Sequence, residues 1–106
     1  MTHTVVYSLI YAPEARDDLL QIYDYIAAQS APQTALGYTE RIVACCEELS
    51  HFPERGMRYD DIRPGLRTVG FEGRVTIAFH VTKNTVVIDR VLYGGRDVGR
   101  VLEGKN

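Results

Sequence analysis

At 106 residues and 12.0 kDa the chain has room for one small domain, residues 1–106, and not for two. Its 45% hydrophobic and 25% charged residues are those of a folded globular protein and exclude a disordered one. The formal net charge of −2 speaks against a polyanion-binding protein, but that total hides a division. Residues 1–54 carry eight acids and two bases, a net of −6, and residues 55–106 carry six acids and ten bases, a net of +4. Ten of the twelve bases are arginine, whose planar fork of donors suits phosphate and carboxylate. The apolar runs are too short to span a membrane, and the Met-Thr-His-Thr start lacks the charged and apolar regions of a signal peptide. With only two cysteines, the adjacent Cys45 and Cys46, the chain suits a reducing cytoplasm. Neighbours on a helix point about 100° apart, so this pair is better suited to packing than to a metal or a disulfide.

Residues 4–11 alternate β-branched and aromatic side chains and predict a strand. Pro13 and Glu14 then open a helix, in which Ala15, Leu19, Ile22, Tyr23 and Ile26 form one apolar stripe. Ser30-Ala31-Pro32 breaks it and starts a second helix over residues 32–51. Its seam is Ala35, Tyr38, Ile42, Cys45 and Leu49, and Phe52-Pro53 ends it. So short a connection predicts an antiparallel helical hairpin. Residues 54–65 are polar and rich in turn formers and predict a loop. Strands follow at 66–71, 74–82 and 85–93, joined by tight turns at Glu72-Gly73 and Lys83-Asn84 that force antiparallel pairing. Residues 96–102 suit a short terminal helix. The class is α+β, in the order β-α-α-β-β-β, with the hairpin packed on a small antiparallel sheet.

His3, His51 and His80 are isolated in sequence and no spaced cysteine pair exists, so no metal site is expected. No glycine-rich loop carries the Lys-Ser/Thr pair of a nucleotide hydrolase, and no cofactor is indicated. General acid–base chemistry is the enzymatic option. His80 lies on the strand face opposite Val75, Ile77, Phe79 and Val81, and Tyr93 ends the last strand. With Arg67, Arg74 or Arg90 nearby, either residue could activate an RNA 2′-hydroxyl while arginine stabilises the phosphorane. Arg58, Arg63, Arg67, Arg74, Arg90, Arg96 and Arg100 could form one basic face. For Arg90, between Asp89 and Val91 in a central strand, an internal ion pair and a functional role are both open.

Four stretches carry a resemblance. They are Ala15-Arg16-Asp17-Asp18-Leu19, Leu49-Ser50-His51-Phe52-Pro53-Glu54-Arg55-Gly56, Asp61-Ile62-Arg63-Pro64-Gly65-Leu66-Arg67 and Asp89-Arg90-Val91-Leu92-Tyr93-Gly94-Gly95-Arg96-Asp97. In this order, over nearly the whole chain, they resemble the ParE toxins of the RelE/ParE superfamily. The resemblance implies a RelE-like fold and a toxin of a type II toxin–antitoxin system. ParE-like members inhibit DNA gyrase and block replication, whereas RelE-like members cut mRNA on the ribosome. It also implies a ParD-like antitoxin that wraps the toxin, the two together binding operator DNA through the antitoxin. Ribonuclease members carry a basic residue in the middle strand, three before an aromatic; here Thr76 stands before Phe79. Tyr93 stands where many ParE-like sequences have His. The resemblance therefore favours the gyrase branch, with no catalytic residue of its own. The ribonuclease alternative would use His80, Tyr93 and Arg67. On the gyrase reading, target contacts fall to Arg58, Arg63, Arg67, Arg74, Arg90, Tyr93, Arg96, Asp97 and Arg100. Leu20, Tyr25 and Leu36, apolar residues outside the helical seams, would then form part of an antitoxin groove.

Overall fold

The structure, a computed structural model, describes residues 7–94 and 98–104. In chain order it contains β1 (Ser8–Tyr11), α1 (Pro13–Gln29), α2 (Pro32–Leu49), β2 (Met57–Arg58), β3 (Arg67–Phe71), β4 (Val75–Thr82), β5 (Thr85–Tyr93) and α3 (Val98–Leu102). The expected strand start at residues 4–6 and the first two residues of the expected terminal helix lie outside the described residues.

Proline opens both long helices. Pro13 and Pro32 sit in the first turn, where a missing N–H breaks no helical bond, and each follows an extended alanine without a side-chain cap. The Ser30-Ala31 link folds them into the hairpin. The second helix ends at Leu49, two residues before the limit expected from Pro53. Ser50 stops it first: its Oγ donates to the Glu47 carbonyl at 2.6 Å, and its N–H bonds the same carbonyl at 3.1 Å. A glycine then completes the reversal. Gly56 has φ +88°, and a Cβ there would run into the Thr68 carbonyl.

The sheet order is β1-β5-β4-β3-β2. Three pairs are antiparallel, and β1 lies parallel to β5 at one edge, so the sheet is mixed. The chain can return in parallel because the whole hairpin intervenes between β1 and the other strands. β2 arises within the stretch expected to be loop. Two residues are too few for a readable alternation, and only their pairing with Arg67 and Thr68 makes them a strand.

One sheet face packs on the hairpin. Val75, Ile77, Phe79, Val86, Ile88 and Val91 meet Ala15, Ile22, Ile42, Cys46 and Leu49 there. The buried cysteine is Cys46, whereas Cys45 is only half-buried. Burial pushes the Cys46 thiol up to about 12 and raises the Tyr11 phenol beside it.

A polar clamp fixes the hairpin to the sheet. β1 covers β5 only as far as Ile88, opposite Tyr11. Beyond that point the N–H of Val91 has no strand to bond. Asp18 of α1 takes that place: its Oδ2 accepts the Val91 N–H at 2.8 Å. The same carboxylate binds Arg90 through both oxygens, from Nε at 2.8 Å and Nη2 at 2.9 Å. Asp18 is only 6% exposed, and its hydrogen bonds raise the pKa of Arg90. Asp18→Ala strands a half-buried guanidinium and a buried amide together. It should cost about 3–5 kcal/mol, read as a lower urea midpoint, with Arg90→Met costing less because Asp18 still caps Val91. Gly56→Ala should cost about 1–3 kcal/mol in the same measurement, because of its left-handed φ and the Thr68 carbonyl.

Candidate functional site

The hairpin carries an open groove of about 560 Å³. Arg16, Leu19, Leu20 and Tyr23 of α1 form one wall, Thr39, Glu40 and Val43 of α2 the other, and Tyr11 the sheet side. Its lining is mostly apolar, with Arg16 and Glu40 as charged posts. Leu20 is 64% exposed, more than a packed helix needs of a leucine. Of the three residues expected to form an antitoxin surface, only Leu20 lines this groove. Tyr25 lines a smaller cavity of about 150 Å³ with Ile22, Val91 and Tyr93. Leu36 is exposed on α2 and lines neither. Tyr11, Leu19, Tyr23 and Val43 were not singled out as groove residues. Leu19 and Tyr23 belong to the apolar stripe of α1, and a stripe does not say which of its members stay uncovered.

The opposite sheet face holds a charged cluster beside an irregularity of the ladder. Ala78 pairs with Arg90 and Phe79 with Ile88, so Asp89 is an extra residue, a bulge. Its Oδ2 lies 2.7 Å from Nδ1 of His80 and 3.2 Å from a guanidinium nitrogen of Arg63. Arg63 reaches it from a loop closed by its own bonds. The Gly65 N–H donates to Asp60 at 2.9 Å and the Tyr59 N–H to the Leu66 carbonyl at 2.8 Å. That first bond, with Arg58 next, holds the Asp60 carboxyl below its usual range. Arg63, Asp89, Arg90, Val101 and Leu102 together line a cavity of about 200 Å³, which sets α3 beside this cluster.

His80 and Tyr93 are not brought together. His80 sits opposite Val87 and Tyr93 opposite Val75, five residues apart along β4 and therefore roughly 17 Å. They also lie on opposite faces. Tyr93 packs on the hairpin side in an aromatic row, 5.7 Å from the Tyr25 ring and 6.1 Å from that of Tyr38. Arg67 is on the hairpin side too, paired with Phe79, its guanidinium near the Arg55 carbonyl. The expected constellation of His80, Tyr93 and Arg67 is thus not assembled.

The remaining arginines do not form one uninterrupted basic face. Arg58 pairs with Asp60 at 2.9 Å, Arg63 with Asp89 and Arg90 with Asp18. Arg74 is exposed in the β3–β4 turn and Arg100 is exposed on α3. Arg96 and Asp97 lie outside the described residues. Asp18 and Asp89 stand in two of the stretches that carry the resemblance, but their partners are not readable there; of the two options open for Arg90 the structure shows the internal ion pair, with Asp18. The spacing of Asp18, three after Ala15 and four before Ile22, inside the apolar stripe, is a further signal.

Residues 9–98 match the family model described as the ParE toxin of the type II toxin–antitoxin system parDE. The fold is similar to a solved chain of the chromosomal ParDE toxin–antitoxin system from P. aeruginosa. That match has 26% identity and a TM-score of 0.74, and covers 85% of this chain and 98% of the other. A chain of the RelBE2 toxin–antitoxin complex from Mycobacterium tuberculosis shares the fold at 21% identity and a TM-score of 0.61, covering 88% and 97%. No curated protein matches the chain. With nine-tenths of its described course inside one family model, on the RelE-like fold, the chain belongs to the ParE toxin family of type II toxin–antitoxin systems.

Proposed function

We propose that this toxin acts by binding rather than by chemistry: it inhibits DNA gyrase, and a ParD-like antitoxin neutralises it. The observation that carries this reading is the separation of His80 from Tyr93. An acid–base pair for RNA cleavage must reach one 2′-hydroxyl and one leaving oxygen, a few ångströms apart. Groups on opposite faces of a sheet, roughly 17 Å apart along it, cannot do that. Thr76 adds to this, since no cation stands at that position of β4 to hold a phosphate.

The target contacts on this reading are Arg63 beside Asp89 and Arg100 on α3, with Arg58 and Arg67 next to them, Arg74 at the opposite end of β3, and Arg96 and Asp97, which lie outside the described residues, taken from the resemblance. Arg90 serves them indirectly, by holding β5 against α1. Tyr93 supports the end of β5 from the hairpin side. The antitoxin occupies the other surface, with its apolar side chains in the groove around Leu20. Leu36, one turn before Thr39 and Glu40, extends that contact along α2, whereas Tyr25 lies on the other side of α1 against Tyr93. The antitoxin also carries the pair to operator DNA.

Purified gyrase tests the reading. Added toxin should abolish supercoiling and accumulate cleaved DNA, and gyrase activity unchanged at excess toxin would refute it. Arg96→Glu should weaken inhibition on the order of tenfold and leave antitoxin binding intact. Leu20→Asp should do the reverse, weakening antitoxin binding by roughly 30-fold or more, as loss of a buried anchor does. Calorimetry on the two variants checks that division.

A further inference from the structure

The cavity of about 150 Å³ beside Tyr25 lies where β5 runs on past the end of β1. The Gly94 N–H donates to the Arg74 carbonyl at 2.8 Å, so Gly94 faces β4. In an antiparallel ladder the main chain faces the neighbour and turns away from it at alternate residues. Tyr93 and Val91 therefore turn away from β4. The Val91 N–H agrees, since it donates to Asp18 on the other side. The Val91 carbonyl and both main-chain groups of Tyr93 point the same way, and β1, which ends opposite Ile88, does not reach them. Among the described residues no hydrogen bond meets these three groups or the side-chain amide of Gln21, which shares the cavity wall. The rings of Tyr25 and Tyr93, 5.7 Å apart, form the aromatic side.

We propose that this cavity takes one arginine side chain of the antitoxin, its guanidinium donating to the carbonyls of Val91 and Tyr93 and stacking on Tyr25. The inference rests on the antitoxin reading above and deepens it. The chemistry of the walls selects the group. Carbonyl oxygens of Val91, Tyr93 and the Gln21 side chain outnumber the donors, and the aromatic faces are negative. Asp18 is already neutralised by Arg90, so the charge that attracts a cation comes from the rim. Asp17 and Asp24, four before and three after Gln21 on α1, are both exposed beside it. A guanidinium offers several N–H donors in one plane and a face that stacks on tyrosine, and it sheds water more easily than an ammonium. Position selects the source. α1 carries the groove around Leu20 on one side and this cavity on the other, so a chain seated in the groove has one helix, about 10 Å, to cross. A second copy of this chain would bring its own acidic half, of net charge −6, against an acidic rim.

Two probes test this by NMR on the full chain, N-acetylarginine amide and the uncharged, equally shaped N-acetylcitrulline amide. At about 20 mM, enough for a millimolar contact, the arginine probe should shift the Tyr93 amide and the Gln21 side-chain amide of the free toxin. The citrulline probe should shift neither. In the complex with the product of the adjacent reading frame the arginine probe should also shift neither, because the antitoxin fills the cavity. Gln21→Met and Tyr25→Leu alter exposed side chains, and each should weaken antitoxin binding by roughly 5- to 10-fold. Arginine-probe shifts that persist in the complex would overturn the antitoxin as the source and assign the arginine to the target. Equal shifts from both probes would overturn the cation. No shift from either probe in the free toxin, with both variants binding antitoxin as tightly as the unaltered chain, would overturn the site. Failure to form any complex would remove the antitoxin reading and this occupant with it, while the probes on the free chain still decide whether the cavity takes arginine.

Discussion

The contact among Asp18, Arg90 and the Val91 amide is the one on which the rest of the arrangement depends. A helical hairpin resting on a sheet by apolar contact alone can slide, since hydrophobic packing has little directionality. A bidentate carboxylate–guanidinium pair that also accepts a main-chain N–H fixes position along the strand and rotation about the helix. It does so just past the end of β1, where the Val91 N–H would otherwise lack a partner. The clamp thereby sets the groove on one side of α1. On the other it sets the end of β5, with Asp89 next to Arg90 in the chain.

That adjacency divides the molecule. Toward the hairpin, the side chains of β5 build the core and the aromatic row ending in Tyr93. On the far side, Asp89 points with Val87 toward His80 and Arg63 and ties down the loop before β3. The extra residue shifts the alternation that follows, so that Val91 and Tyr93 return to the hairpin side with Val86 and Ile88. The charge division in the sequence follows the same split. The acidic half is β1 and the hairpin, which present the groove, and the basic half is the loop, the remaining strands and α3. A net charge of −2 is the near-cancellation of an acidic half and a basic half of the chain.

Much of this was legible from residues alone. Pro13 and Pro32 mark helix starts that the structure reproduces, and the Lys83-Asn84 turn and Gly94 bound the expected strand at 85–93, which β5 matches at both ends. Local signals work where local chemistry decides. The parts that were not legible depend on distant partners. β2 is a strand only because β3 passes beside it, and Asp18 is special only because β1 stops short of Val91. Cys46 outranks Cys45 in the core because it falls in step with Ile42 and Leu49 on one face of α2. His80 and Tyr93 look compatible in sequence, yet residue types cannot show that strand pairing holds them apart.

The central claim is that this toxin kills by occupying a partner and not by cutting RNA. Inducing it without antitoxin, and mapping DNA breaks and mRNA 5′ ends in the same cells, tests that claim most directly. The account predicts gyrase-dependent breaks in DNA with no new mRNA ends, unchanged when His80→Ala and Tyr93→Phe are combined. Fresh mRNA ends above intact DNA, lost in that double variant, would contradict it.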